Sequence, residues 1–155
     1  MVRGWRAIVA LLPVAIGIPA SAAPKSETIS VATAAPLSFG SITGAAGGSV
    51  TVAPDGSRTA TGVIPVGGMF TAAAFTITVS QGNPHYLITL PPSATLTSAT
   101  GATMVIDTFR SLPANRGTAK PPGYTDTLTV GATLRVAPAQ SPGSYQGAFQ
   151  IVVNL

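Results

Sequence analysis

The chain has 155 residues but only 8 Lys+Arg and 4 Asp+Glu, about a third of the charged share of an average soluble domain. Gly and Pro contribute 17 and 14 residues, which argues against a mainly helical protein, while 46% apolar residues and a small net charge argue against disorder. With no Cys and a single His, disulfide frameworks, thiolate metal sites and Cys nucleophiles are excluded.

In chain order, Arg3 and Arg6 precede an apolar run from Ala7 to Ile18, followed by Ala20-Ser21-Ala22 in an A-x-A arrangement. This is the pattern of a secretory signal, cut after Ala22. The run covers 12 positions and contains Pro13 and Gly17, too short for a membrane-spanning helix of roughly 20 residues. The expected organisation is therefore a signal peptide at 1–22, an extended N-terminal segment at 23–36 and one domain at 37–155. The exported portion carries a net charge of +2, with no membrane span and too few clustered cations for nucleic-acid binding.

Beyond Ala22 the pattern is period-2 alternation, the mark of half-buried strands. Short strands are predicted at Glu27 to Thr33, Leu37 to Ile42, Gly48 to Ala53 and Ser57 to Val63. Pro54-Asp55-Gly56 forms a tight hairpin turn between the last two. Ala45 to Gly48 and Val66 to Gly68 read as connections. Met69 to Val79 carries apolar side chains on both parities, which predicts a central strand. Further strands follow at Pro84 to Leu90, Ala102 to Phe109 and Leu128 to Val136. Tyr145 to Leu155 alternates once more, with Tyr145, Phe149, Ile151, Val153 and Leu155 on one face. About nine short strands with turn signals between them predict an all-β, antiparallel, immunoglobulin-like β-sandwich with Greek-key connections, preceded by the signal helix.

Catalytic patterns are missing: no G-x-S-x-G, P-loop, G-x-G-x-x-G or H-E-x-x-H occurs. His85 reads as a strand-end residue, Asp55 and Asp126 as turn residues, and Asp107 as facing solvent opposite Met104 and Ile106. Glu27 lies near the N-terminus. The expectation is a non-enzyme with no cofactor and no metal site. Tyr145 is a candidate corner tyrosine, its hydroxyl bonded back to the preceding loop, with an ordinary core aromatic as the alternative. Ser111 to Gly123, rich in Gly and Pro, reads as a solvated loop. Together with Arg110, its Arg116 and Lys120 make a candidate contact surface.

Three segments carry a family resemblance: Pro36 to Ile42 (PLSFGSI), Val50 to Gly62 (VTVAPDGSRTATG) and Val130 to Phe149 (VGATLRVAPAQSPGSYQGAF). Together they resemble the exported family of Gram-negative bacteria catalogued as domain of unknown function 4402, which implies the class and not the task. More distantly, the P-L-S-F-G entry and the terminal G-x-Y-x-G-x-F-x-I-x-V strand are similar to spore-coat-U and chaperone-usher pilin subunits. That similarity implies a sandwich completed by an extended segment of a neighbour. The donor would be Ser26 to Ala34, with Ile29, Val31 and Thr33 inserted beside Tyr145 to Leu155 of the next copy. The partners so implied are copies of the chain or a periplasmic chaperone. Alternatively, Glu27 to Thr33 folds back as the chain's own first strand. The functional expectation is a structural or adhesive cell-surface subunit; the competing one is a monomeric carbohydrate- or surface-ligand-binding module using the Ser111 to Gly123 loop.

Overall fold

A computed structural model describes residues 27–80, 84–121 and 123–155; the expected signal peptide and its cleavage site lie outside the described residues. Every regular element described is a strand, and every pairing is antiparallel. The strands are β1 (Ile29–Ala35), β2 (Ser38–Thr43), β3 (Gly48–Val52), β4 (Arg58–Thr61), β5 (Ile64–Thr71), β6 (Ala73–Val79), β7 (His85–Thr89), β8 (Ser93–Ser98), β9 (Thr103–Leu112), β10 (Arg116–Thr118), β11 (Thr125–Val136), β12 (Tyr145–Gln146) and β13 (Val152–Asn154).

One large sheet runs in the order β1-β6-β11-β9-β8-β12, with β3 attached to β11 and β4 to β3. Strand β11 organises it. Its first half, Thr125 to Val130, pairs with β6, its second half, Ala132 to Val136, pairs with β3, and β9 takes the opposite edge. Gly131 sits at the changeover, where a Cβ would overlap the Val52 carbonyl oxygen and the Ala53 backbone. Only a residue without a side chain lets the β3–β4 turn come this close. That turn is the predicted one: Gly56 has φ +85° and donates to the Ala53 carbonyl at 2.9 Å.

The second layer consists of two small sheets, β10-β7-β13 and β2-β5. Alternation along β11 places Leu128, Val130, Ala132, Leu134 and Val136 on one buried face. Phe39 of β2 joins the core over the second half of β11, and Tyr86 and Ile88 of β7 join the core over the first half. The result is an all-β sandwich with two adjoining cores under a divided roof.

Several boundaries differ from the periodicity reading, each for a local reason. Met69 to Val79 is two strands, because the chain passes at Ala72 from the small β2-β5 sheet to the large one. The β6 part is central, between β1 and β11. Val66 to Gly68 belongs to β5, with Gly67 and Gly68 forming the register shift opposite Ser41. Within Ser111 to Gly123, β10 pairs with β7, and Lys120 bridges Thr125. Its alternation is hidden because the buried positions are Gly117 and Ala119. Strand β8 carries a single large apolar residue, Leu96, and so gives little periodic signal. The C-terminal run forms ladders only at β12 and β13.

Candidate functional site

The most distinctive local structure lies between the β2–β5 sheet and the segment that leads into and past β12. A groove of about 1150 Å³ opens there, floored by Leu96, Met104, Ile106, Leu134 and Val136 of the large sheet. One wall is Leu37 to Thr43, including all of β2, and the other is Gln140 to Phe149. Among the described residues, no charged one lines it, and strand β2 is paired on one edge only, by β5.

The second wall crosses from layer to layer. Tyr145 and Gln146 pair with Ser98 and Thr97 of β8, whereas Val152 to Asn154 pair with Thr89 to Leu87 of β7. Between them, residues 147–151 have no ladder partner among the described residues. Side-chain alternation nevertheless persists. Tyr145, Phe149, Ile151 and Val153 are half-buried while Gln146, Ala148, Gln150 and Val152 are exposed. Phe149 holds the stretch down by ring contacts with Phe109 at 5.0 Å and Phe75 at 6.3 Å, the latter edge-on.

Tyr145 ends the loop leading into this wall. Its hydroxyl donates to the Ser141 carbonyl at 2.5 Å and accepts from Gln140 Nε2 at 2.8 Å, and that amide also donates to the Thr103 carbonyl at 3.1 Å. The loop is thereby fastened to the start of β9.

The candidate donor residues lie on β1, which the structure pairs with β6 of the same chain. Ile29 stands opposite Val79, Val31 opposite Ile77, and Thr33 opposite Phe75. Thr28 and Ser80 fasten the start of this pairing through two backbone-donated bonds of 2.8 Å each. Five of the seven β1 residues are exposed, Val31 among them at 41%.

The three candidate contact cations are only partly brought together. Arg116 and Lys120 line an open depression of about 470 Å³ together with Asp126, Thr127 and Thr129, while Arg110 lies on β9 opposite Gly131 and does not line it. His85 Nδ1 lies 2.9 Å from the Thr118 hydroxyl, across the β7–β10 pair. Asp55 accepts from the Ser57 hydroxyl and N–H, which hold its carboxyl below the usual range. Asp107 is likewise lowered, chiefly by Arg135, whose Nε lies 2.8 Å from Oδ2. Among the described residues no group of three or more His, Cys, Asp or Glu could hold a metal ion.

The groove wall formed by β2 and the exposed apolar side chains of β5 were not singled out from the sequence. A usable signal was present, since Ile64 to Phe70 carries large apolar residues on both parities.

Comparison with curated proteins and with solved structures returns no match. Residues 29–155, from the first residue of β1 onward, match the family described as Domain of unknown function (DUF4402), and the chain belongs to that family.

Proposed function

We propose that the chain is an exported structural or adhesive subunit of the cell surface that assembles by β-strand addition. The observation that carries this reading is the 147–151 stretch, which alternates in burial from Ala148 onward, has no backbone hydrogen bond to another described residue, and borders with Gly147 to Phe149 an uncharged groove with an apolar floor. Such a segment is a template for an incoming strand. The donor is β1 of another copy, which is uncharged and free of Pro. On its own β6 it buries little apolar surface. In a neighbour's groove, Ile29 and Val31 would meet the apolar floor, so exchange gains burial.

The test is the assembly state of the exported chain across a wide concentration range. Oligomers that grow with concentration and are lost in Ile29→Asp/Val31→Asp support the reading. Monomer alone at high concentration, destabilised by deletion of residues 25–34, overturns it. The depression beside Arg116 and Lys120 favours one second reading, a module that binds a polar surface glycan. Glycan-array binding lost in Arg116→Ser/Lys120→Ser would replace the first reading with that one.

A further inference from the structure

Asp55 alone among the chain's Asp and Asn residues is followed by glycine; Asp107 and Asp126 each precede a threonine. Glycine has no Cβ to obstruct the approach to its own backbone nitrogen, so Asp-Gly is the pair in which an aspartate side chain closes most readily on the next amide. In that reaction the Gly56 nitrogen bonds to Asp55 Cγ, the carboxyl C–OH bond breaks, and the hydroxyl leaves with the amide proton as water. Water then reopens the succinimide ring at either carbonyl. One opening restores aspartate, and the other leaves isoaspartate, whose main chain is one carbon longer.

The turn between β3 and β4 opposes that closure at both reacting groups. The Gly56 N–H, whose nitrogen is the nucleophile, donates to the Ala53 carbonyl at 2.9 Å. The carboxyl is drawn toward a different residue. Asp55 Oδ1 accepts from the Ser57 N–H at 2.9 Å and from the Ser57 hydroxyl at 2.7 Å, the pattern in which an Asp side chain caps the backbone two residues on. Both bonds favour the ionised carboxylate, which has no hydroxyl to release, and they hold the group below its usual range. Asp55 and Ser57 are exposed, so hydrogen bonding, and not exclusion of water, restrains the pair.

We propose that Asp55-Gly56 is a site of spontaneous isoaspartate formation, kept closed in the folded turn by Ser57 and by the Gly56–Ala53 hydrogen bond. Ser57 is a positioning residue, holding the carboxyl off the amide without taking part in the reaction. The site is independent of any role in assembly. It bears on the fold because the turn lies against β11, where a Cβ on Gly131 would stand 2.8 Å from the Pro54 nitrogen.

The test is ageing of the full chain at pH 5, with isoaspartate at position 55 quantified by peptide mapping with electron-transfer fragmentation. Wild type, Ser57→Ala and Ser57→Thr are compared in buffer and in concentrated urea. The reaction proceeds from the opened turn, so its rate follows the open fraction. Wild type is expected to react at least tenfold more slowly folded than in urea. Folded Ser57→Ala is expected to react about fivefold faster than folded wild type, and Ser57→Thr, which keeps the hydroxyl, at close to the wild-type rate. In urea all three agree. Unchanged circular dichroism spectra confirm the fold of the variants, and the wild-type comparison decides on its own if a variant does not fold. Equal wild-type rates in buffer and urea, equal folded rates for wild type and Ser57→Ala, Ser57→Thr as fast as Ser57→Ala, or no isoaspartate at position 55 in urea overturns the proposal.

Discussion

The Tyr86 hydroxyl donates a 2.6 Å hydrogen bond to Oδ2 of Asp126, joining β7 of the small sheet to β11 of the large one through the core. Tyr86 is 1% exposed, and its ring lies over Gly117, its cross-strand partner on β10, where any Cβ would collide with the ring. Aromatic, glycine and carboxylate form one unit. Asp126→Ala strands a buried hydroxyl and is expected to cost about 1–3 kcal/mol. Tyr86→Phe removes donor and need together and is expected to cost less, as read by urea unfolding of both variants.

The same residue sets an alkaline limit. Burial, then the bond to Asp126 and its negative charge, raise the Tyr86 pKa above its ordinary value of 10.0. In the unfolded chain the phenol ionises first, so stability is intact below pH 10 and declines as pH climbs from there toward the folded value. Tyr86→Phe is expected to flatten this decline in midpoints measured between pH 9 and 12. A decline equal to wild type would assign the alkaline loss to other groups.

At the acid end the sign reverses. Asp55 and Asp107 are lowered from 3.8 by the bonds of Ser57 and Arg135 respectively. Their contribution is present above that value and is lost as pH falls through the folded pKa. Asp55 is exposed and Asp107 only half-buried, so the effect is small and salt-sensitive. Asp55→Asn/Asp107→Asn is expected to shrink the drop in melting temperature between pH 5 and pH 2, and 1 M salt to shrink the wild-type drop likewise.

Gly131→Ala presses a methyl group into the Val52–Ala53 backbone. The expected loss is about 1–3 kcal/mol, larger than for Gly101→Ala, where no atom lies within 4 Å of the added carbon but φ is +85°. Thermal unfolding of the pair separates crowding from backbone strain.

Phe149→Ala removes the ring that packs on Phe75 and Phe109. Since the side chain is half-buried, the expected cost is about 2 kcal/mol, below the 3–5 typical of fully buried aromatics. Faster amide exchange at residues 147–151 than at β11 would accompany it.

Sandwich class and inward parity were readable wherever burial is continuous along a strand, as on β6 and β11. The reading fails where geometry, not side-chain pattern, decides. Phe109 shares parity with outward Asp107 in the sequence, yet it packs on both cores, because Thr108 at φ +52° inserts an extra residue into β9 opposite β11. The C-terminal alternation was legible as one strand, and its side chains do alternate. Its hydrogen bonds fail midway because the segment leaves one sheet for the other. The groove itself was not legible, since it arises from the spacing between β2 and the 140–149 segment, which no local pattern encodes.

The layer-crossing course of the C-terminal segment also sets how the fold would bear load. Tension applied at Leu155 reaches β7 first, through the three-residue Val152–Asn154 ladder, and reaches the large sheet's backbone ladders next through Tyr145–Gln146. Those two short attachments act in series, so the fold would peel from its C-terminal end while the longer β6–β11–β9 ladders stayed intact.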